Sequence, residues 1–209
     1  MTSDIETRLR AAAARNGRPP SDAAAERFAS RALSEGLVDV AYAHIDSPVG
    51  DLLAAVTPRG LVTLSYLGFR NEDAVLGRLA DRVSPRVLEA PARLDGVRRE
   101  LDEYFEGRRR EFGVAVDLAL VTEFQGRILR ATAAIPYGRH LSYTEVAAQA
   151  GSPRASRAAG NALGANPIPI VIPCHRVWAA GGRLGGYTGG LDRKRLLLEL
   201  EGALQPELG

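Results

Sequence analysis

Short apolar runs broken by tight turns crowd the stretch from Val40 to Leu67, and nothing like them returns after Thr122, where the chain reads as helices. Strands first and helices after exclude a regular strand–helix alternation and define an α+β chain. Val40-Ala41-Tyr42-Ala43-His44-Ile45 leads into a turn at Asp46-Ser47-Pro48. Asp51 to Thr57 follows, then a break at Pro58-Arg59-Gly60, then Leu61 to Leu67. These turn residues between short runs predict an antiparallel meander. Two helices are expected next, Glu72 to Arg82 and Ala92 to Phe105, with Gly107 stopping the second. A last strand is expected at Phe112 to Val116.

Beyond Thr122 the signals are caps. Thr122 is placed to cap a helix through Ala134 that sets Phe124, Ile128, Leu129 and Ala133 near one face, and Ile135-Pro136-Tyr137-Gly138 ends it. Ser142 and Glu145 have capping-box spacing for a short helix through Ala150, stopped by Gly151. Ser152 is then expected to cap the next helix, with Pro153 at its first position, running to about Leu163. Two short helices joined by a Gly-containing turn outline a helix-turn-helix. Many proteins that never meet DNA contain such a pair, so the residues alone leave its role open. Before the strands, Ser3 and Glu6 have capping-box spacing, Gly17-Arg18-Pro19-Pro20 is a break, and Ser21 or Asp22 can open a second helix that stops at Gly36. Residues 1–38 therefore read as a helical extension.

No apolar run approaches the roughly 20 residues a membrane span needs, and the charged N-terminus has no secretory core. No membrane association is expected, and the expected location is the cytoplasm. One cysteine excludes an internal disulfide and a Cys-based zinc cluster, and His44, His140 and His175 show no ligand spacing. No metal and no cofactor are expected. The formal net charge is only +2, yet Thr122 to Gly202 holds ten Arg or Lys against five Asp or Glu. That asymmetry fits a nucleic-acid footprint and equally an Arg-rich chain with none.

The most informative stretch is Asn166-Pro167-Ile168-Pro169-Ile170-Val171-Ile172-Pro173-Cys174-His175-Arg176-Val177. Three prolines stiffen the approach to Cys174 and each removes a backbone donor. A lone cysteine among aliphatics reads first as a core residue. Two features raise a reactive thiol beside that reading. His175 and Arg176 follow directly, and a basic setting lowers a thiol's pKa. Adjacent side chains point apart in regular structure, so a Cys–His relay needs a turn or a bridging water. Six glycines around one Tyr and one Thr, Gly181 to Gly190, form a loop suited to close approach to a ligand. A helix follows from Leu191 to Glu201, ended by Gly202, and Glu201 can bring a carboxylate back toward the cysteine.

Ile172-Pro173-Cys174-His175-Arg176-Val177 resembles the active-site signature of the O6-alkylguanine-DNA alkyltransferases. The likeness continues in Phe124-Gln125, Ile135-Pro136-Tyr137-Gly138, Ser142-Tyr143, Arg157-Ala158-Ala159-Gly160, Asn166-Pro167, Tyr187-Thr188-Gly189-Gly190-Leu191 and Leu200-Glu201-Gly202. It is strong from about Thr122 to Gly202, weaker from Val40 to Val116, and does not reach residues 1–38. The fold it implies is α+β, a small ribonuclease-H-like N-terminal α/β domain (39–118) followed by a mostly helical C-terminal domain with a helix-turn-helix (119–209).

The function implied is DNA repair by direct, stoichiometric alkyl transfer from O6-alkylguanine, with O4-alkylthymine a further candidate, to Cys174. By the same resemblance His175 is the base acting through a water, Glu201 orients it, Asn166 braces the turn, and Tyr143 gives a proton to the base and helps rotate the nucleotide. Arg157 takes the place of the flipped base. Ala158, Ala159 and Gly160 let the helix approach a minor groove, with Ser152 at the same helix. Cys174 and Val177 backbone groups read the exocyclic amine. Tyr187, Thr188 and Gly189 cover the base, with Pro169 and Trp178 near the pocket. Thr188 stands where some relatives carry Ser or Gly, which keeps a hydroxyl and narrows the space. The zinc-ligand cysteines that some relatives carry in the N-terminal domain are missing, so no structural zinc is expected. The partner implied is duplex DNA, bound by a monomer in solution, with cooperativity along DNA left open. Three rivals remain: a lesion binder without chemistry, a Cys–His hydrolase that turns over, and a sequence-specific regulator.

Overall fold

A computed structural model of the protein describes residues 34–69 and 71–204, together with Arg27, Arg31 and Ala32. The expected helices before Gly36 lie almost wholly outside those residues. Val38–Gly209 forms one compact unit, distinct from Met1–Leu37.

The meander forms where the turn residues placed it. Strands β1 (Val40–Ile45), β2 (Leu52–Thr57) and β3 (Gly60–Tyr66) pair antiparallel, with Ala43 opposite Ala54 and Ala54 opposite Leu64. A three-residue strand, β4 (Val87–Glu89), adds to the other side of β1 in parallel, giving the order β3-β2-β1-β4. Sequence reading missed β4 because three residues between Pro85 and Pro91 carry no periodicity. Helix α1 (Glu72–Arg82), whose first turn Asn71 caps by accepting from Asp73 N, lays Val75 and Leu79 on Val40, Leu53, Ala55 and Val62. Each such side chain contributes about 1.5–3 kcal/mol by leaving water. The second expected helix is in two parts, a 3₁₀ turn at Pro91–Leu94 and then α2 (Asp95–Phe105).

Phe112 to Val116 is not a strand. One parallel bridge joins Val116 to Leu61, and the ladder stops there. The Glu100 carboxylate takes the Gly113 and Val114 N–H groups at 2.7 and 3.2 Å, so those donors go to a side chain instead of a neighbouring strand.

The helical half is built on caps. Helix α3 (Glu123–Ala133) starts at a reciprocal capping box of Thr122 and Gln125, and α4 (Tyr143–Gln149) at one of Ser142 and Glu145. Helix α5 (Ser156–Gly164) packs against both. Here the cap expectation fails: Ala155 stands at the N-cap, and Ser152 lies in the preceding turn, its carbonyl accepting from Ala155 N at 2.9 Å. Ser152-Pro153 makes a turn first, with Ser152 N bound to Ala147 O at 2.8 Å at the end of α4, and the helix starts only after that turn, at Ser156. A two-residue parallel pair, β5 (Leu141–Ser142) with β6 (Val177–Trp178), ties the start of α4 to the chain after Cys174. Helix α6 (Leu191–Leu200) closes the fold. The β3 edge is covered, since Leu64 N and the Thr63 hydroxyl both donate to Pro167 O, at 2.8 and 3.1 Å. The proline-rich segment is thereby fastened to the sheet. Among the described residues no helix is long and apolar enough to cross a membrane.

Candidate active site

Prolines 167, 169 and 173 leave few donors between Asn166 and Cys174, and the segment folds on itself. Ile172 N donates to Ile168 O at 2.9 Å and Cys174 N to Ile172 O at 2.8 Å. Ile170 takes φ 72°, a region that β-branched residues avoid at a cost of about 1–3 kcal/mol. Its side chain is 1% exposed, so burial holds it there. Asn166 locks the loop. Its Nδ2 donates to Ile172 O at 3.0 Å and to Cys174 Sγ at 3.2 Å, and its Oδ1 accepts from Ile168 N at 3.0 Å.

Cys174–Arg176 is a 3₁₀ turn, so neighbouring side chains splay in different directions. His175 and Arg176 both aim at Glu201, not at the sulfur. His175 Nε2 lies 2.9 Å from Glu201 Oε1, and Arg176 grips the carboxylate with Nε and Nη2, each at 2.9 Å. Tyr104 OH donates to Oε1 at 2.7 Å and Gly138 N to Oε2 at 3.3 Å. Gly138 has φ 70°, and a Cβ there would sit 2.9 Å from Glu201 O, so only glycine fits. Glu201 caps the C-terminus of α6, where the helix dipole disfavours a carboxylate. Burial opposes its ionisation as well. The His175 and Arg176 bonds overcome both and hold it down at about 2. With Glu201 ionised, the His175 ring proton belongs on Nε2. Nδ1 is buried and has no hydrogen-bond partner among the described residues.

The expected basic setting for Cys174 therefore has a different source. Burial pushes the thiol up, while the Asn166 N–H and the charge of Lys194 pull it down. Lys194 is wholly buried. Its Nζ donates to Val177 O at 2.7 Å, to Gly186 O at 3.5 Å and to Leu184 O, fixing the glycine-rich loop to β6. Burial lowers its ammonium to about 8.

Cys174 lines a pocket of about 260 Å³ with Tyr143, Gly160, Leu163, Gly164, Gly186, Tyr187 and Thr188. One wall is thus the helix pair and the other the glycine-rich loop. The Tyr143 ring lies against the Gly160 backbone, and burial raises its phenol, followed by the charge of Cys174, so it stays protonated. Tyr187 OH meets Tyr66 OH at 2.7 Å. Gly189 packs on that Tyr66 ring, where a Cβ would come within 2.6 Å. The Thr188 hydroxyl donates to Gly164 O at 2.8 Å, latching the loop to the end of α5. Several expected residues stand elsewhere. Pro169 lines a second, more apolar cavity of about 200 Å³ that shares Thr188 with the first. Trp178 stacks on His140 at 3.9 Å, on the β5–β6 pair, and does not line the Cys174 pocket. Val177 is buried and does not line the Cys174 pocket, and its carbonyl accepts from Lys194 Nζ. Ala159 is also fully buried, so of the three small positions expected on α5 only Ala158 is exposed, with Gly160 half-buried. Arg157 is exposed beside an open groove of about 490 Å³ that it lines with Ser142, Tyr143, Thr144, Ser156, Gly160, Ala179 and Ala180. Sequence reading missed three site residues: Arg176 as the partner of Glu201, Lys194, and Tyr104. A lone lysine was a usable signal for Lys194. Nothing local marks Tyr104, 97 residues from its partner.

Fold and site together define a protein with a strand-rich half and a helical half in which a buried cysteine lies between a capped helix pair and a glycine-rich loop. Residues 40–118 match the family described as 6-O-methylguanine DNA methyltransferase, ribonuclease-like domain, and residues 123–203 the same family's DNA binding domain. A methylated-DNA–protein-cysteine methyltransferase of Mycobacterium tuberculosis is 43% identical over 165 residues, 79% of this chain and 94% of that one. Its counterpart from Methanosarcina acetivorans is 40% identical, over 78% of this chain and 98% of that one. A crystal structure of Mycobacterium tuberculosis OGT in complex with DNA matches with TM-score 0.67 and 43% identity, covering 77% of this chain and 92% of that one. The chain belongs to the 6-O-methylguanine DNA methyltransferase family.

Proposed function

We propose that this protein repairs O6-alkylguanine in duplex DNA by moving the alkyl group onto Cys174, once per molecule. The observation that carries this reading is the pocket itself. The one cysteine of the chain faces it, between Tyr143 and Gly160 of the helix pair and the Tyr187-Thr188 loop. The thiol proton passes through a bridging water to His175 Nδ1, the buried ring nitrogen without a partner among the described residues, and Glu201 supports the imidazolium. The sulfur attacks the alkyl carbon. A carbon–sulfur bond forms as the bond to O6 breaks, and guanine takes up a proton from Tyr143. The imidazolium proton returns to Tyr143 through solvent. Thr188 exchanges its Gly164 partner for O6, and the Cys174 and Val177 backbone meets the exocyclic amine. A thioether has no simple hydrolytic exit, so the protein is consumed.

Residues 119–209 carry DNA binding and alkyl acceptance on this reading, and 39–118 support them. Arg157 fills the space of the flipped nucleotide from a helix laid in the minor groove, by a monomer acting in the cytoplasm. Ser152, in the turn before α5, and Ala158, exposed on it, flank that contact. A hydrolase reading gives no work to the exposed Arg157 face or to the Thr188 latch.

The test is intact-protein mass after mixing with a short duplex containing one O6-methylguanine. A gain of about 14 Da, one methylene, mapped to Cys174 and stopping at one group per molecule is expected. No gain with the duplex bound would leave a lesion binder, and neither gain nor binding would end the reading.

A further inference from the structure

We propose that Tyr104, on helix α2 of the strand-rich half, is a positioning residue that fixes the Glu201 carboxylate toward His175. Glu201 Oε1 has three donors, Tyr104 OH at 2.7 Å, His175 Nε2 at 2.9 Å and Arg176 Nη2 at 2.9 Å. Arg176 alone does not settle where that oxygen points. A guanidinium fork fixes the carboxylate within its own plane through both oxygens, and the tilt out of that plane is left to the other donors, Gly138 N on Oε2 and His175 and Tyr104 on Oε1. Tyr104 supplies part of that constraint, and its own position is over-determined. The side chain is fully buried, with its ring 5.2 Å from Phe112 and edge-on to Tyr137 at 6.2 Å, centre to centre.

A phenylalanine would fill the same space. The hydroxyl is what tyrosine adds, and in a buried position it needs a partner. Burial, reinforced by the charge of Glu201, pushes the Tyr104 phenol far up, so it donates at every working pH. The charged and titratable groups around this cluster are Arg176 beside Tyr104, Lys194 beside His175, Tyr187, whose ring stands edge-on to His175 at 6.4 Å and faces Tyr104, and Tyr137, which faces Glu201, Arg176 and Arg110. None of them supplies another hydroxyl donor to Oε1 among the described residues. The strand-rich half thus reaches the Glu201 carboxylate through the Tyr104 hydroxyl, and its consequence for alkyl transfer rests on the function proposed above.

The experiment follows Cys174 in two reactions against pH, methyl uptake from an O6-methylguanine duplex and alkylation by iodoacetamide. With one cysteine in the chain, both report the same sulfur. Tyr104→Phe removes a donor from a carboxylate. Glu201 and, through it, His175 become more basic, and the acid limb of both profiles is expected to rise by about one pH unit. Tyr104→3-fluorotyrosine has a more acidic, stronger-donating phenol and is expected to move the limb the other way. Phe112→Leu loosens the packing around the Tyr104 ring without touching the hydroxyl, and its limb is expected to stay in place. If Tyr104→Phe does not fold, the fluorinated protein decides alone. A limb unmoved in every folded Tyr104 variant, or moved equally by Phe112→Leu, would overturn the proposal. Shifts in the iodoacetamide profile with no methyl uptake by any protein would uphold the positioning role and reject the repair function.

Discussion

Lys194 shows how much one residue type can say. Of twenty-seven basic residues it is the single lysine, and it is buried with its charge acting on the Cys174 thiol. The reason is geometric. An ammonium offers three donors from one point, and three carbonyls, of Val177, Leu184 and Gly186, converge on it. A planar guanidinium is longer and presents its donors in a fork, so Lys194→Arg is not expected to restore what Lys194→Met removes. The ammonium also lowers the Cys174 thiol. Its own value of about 8 means that this help is present below pH 8 and fades above it. Lys194→Met is therefore expected to slow iodoacetamide alkylation of Cys174 about tenfold at pH 7, one unit of thiol pKa, with the gap narrowing above pH 8. A gap of constant size across that range would show that Lys194 acts through loop geometry alone.

At the scale of elements, helix α5 borders both the open groove and the Cys174 pocket. Its exposed Arg157 faces the open groove, while Gly160, Leu163 and Gly164 wall the Cys174 pocket and Gly164 O holds the Thr188 latch. Arg157→Ala removes a cation and the group proposed to replace the flipped base, so duplex affinity and the rate of methyl uptake are both expected to fall by tenfold or more. Reaction with a free O6-alkylguanine base, which needs no flipping, is expected to stay within about twofold. Equal losses on duplex and free base would remove Arg157 from the recognition role.

The elements themselves were legible where a rule acts within a few residues. The meander turns, the capping boxes at Thr122 and Ser142, and the helix stops at Gly107 and Gly202 all lie inside one local window. What was not legible depends on distance. Strand β4 exists because β1 accepts it, and Phe112 to Val116 fails as a strand because Glu100, on α2, claims its donors. Ser152 loses its cap role to a turn whose first bond returns to α4. The same holds in the site. Cys174, His175, Asn166 and Glu201 were singled out by the family resemblance, and the structure brings them together. Tyr104 was not, since its partner lies 97 residues away.

For the whole molecule, the site sets an acid limit on stability. Glu201 ionises near 2 in the folded state against an ordinary 4.5, so between pH 4.5 and 2 the unfolded chain takes up a proton that the folded one refuses. A depressed carboxylate contributes stability above its unfolded value and loses it as pH falls toward its folded value. Here that is about 3 kcal/mol. His175 carries the same sign. Burial lowers its imidazole below 6.5, against the pull of Glu201, so the unfolded chain binds its proton first and the loss starts near pH 6.5, earlier than the carboxylates alone would place it. Urea midpoints of the wild type are expected to fall from pH 6.5 downward, steepening below 4.5. Glu201→Gln should cost about 3–5 kcal/mol at pH 7, because Arg176 is then a buried charge without its partner. Having lost the titrating group, it should also show a flatter slope below pH 4.5 than the wild type. Parallel slopes in the two proteins would mean that acid unfolding is governed by surface carboxylates such as those of Asp39 and Glu145, held low by Arg86 and Ser142 respectively, and not by the active-site cluster.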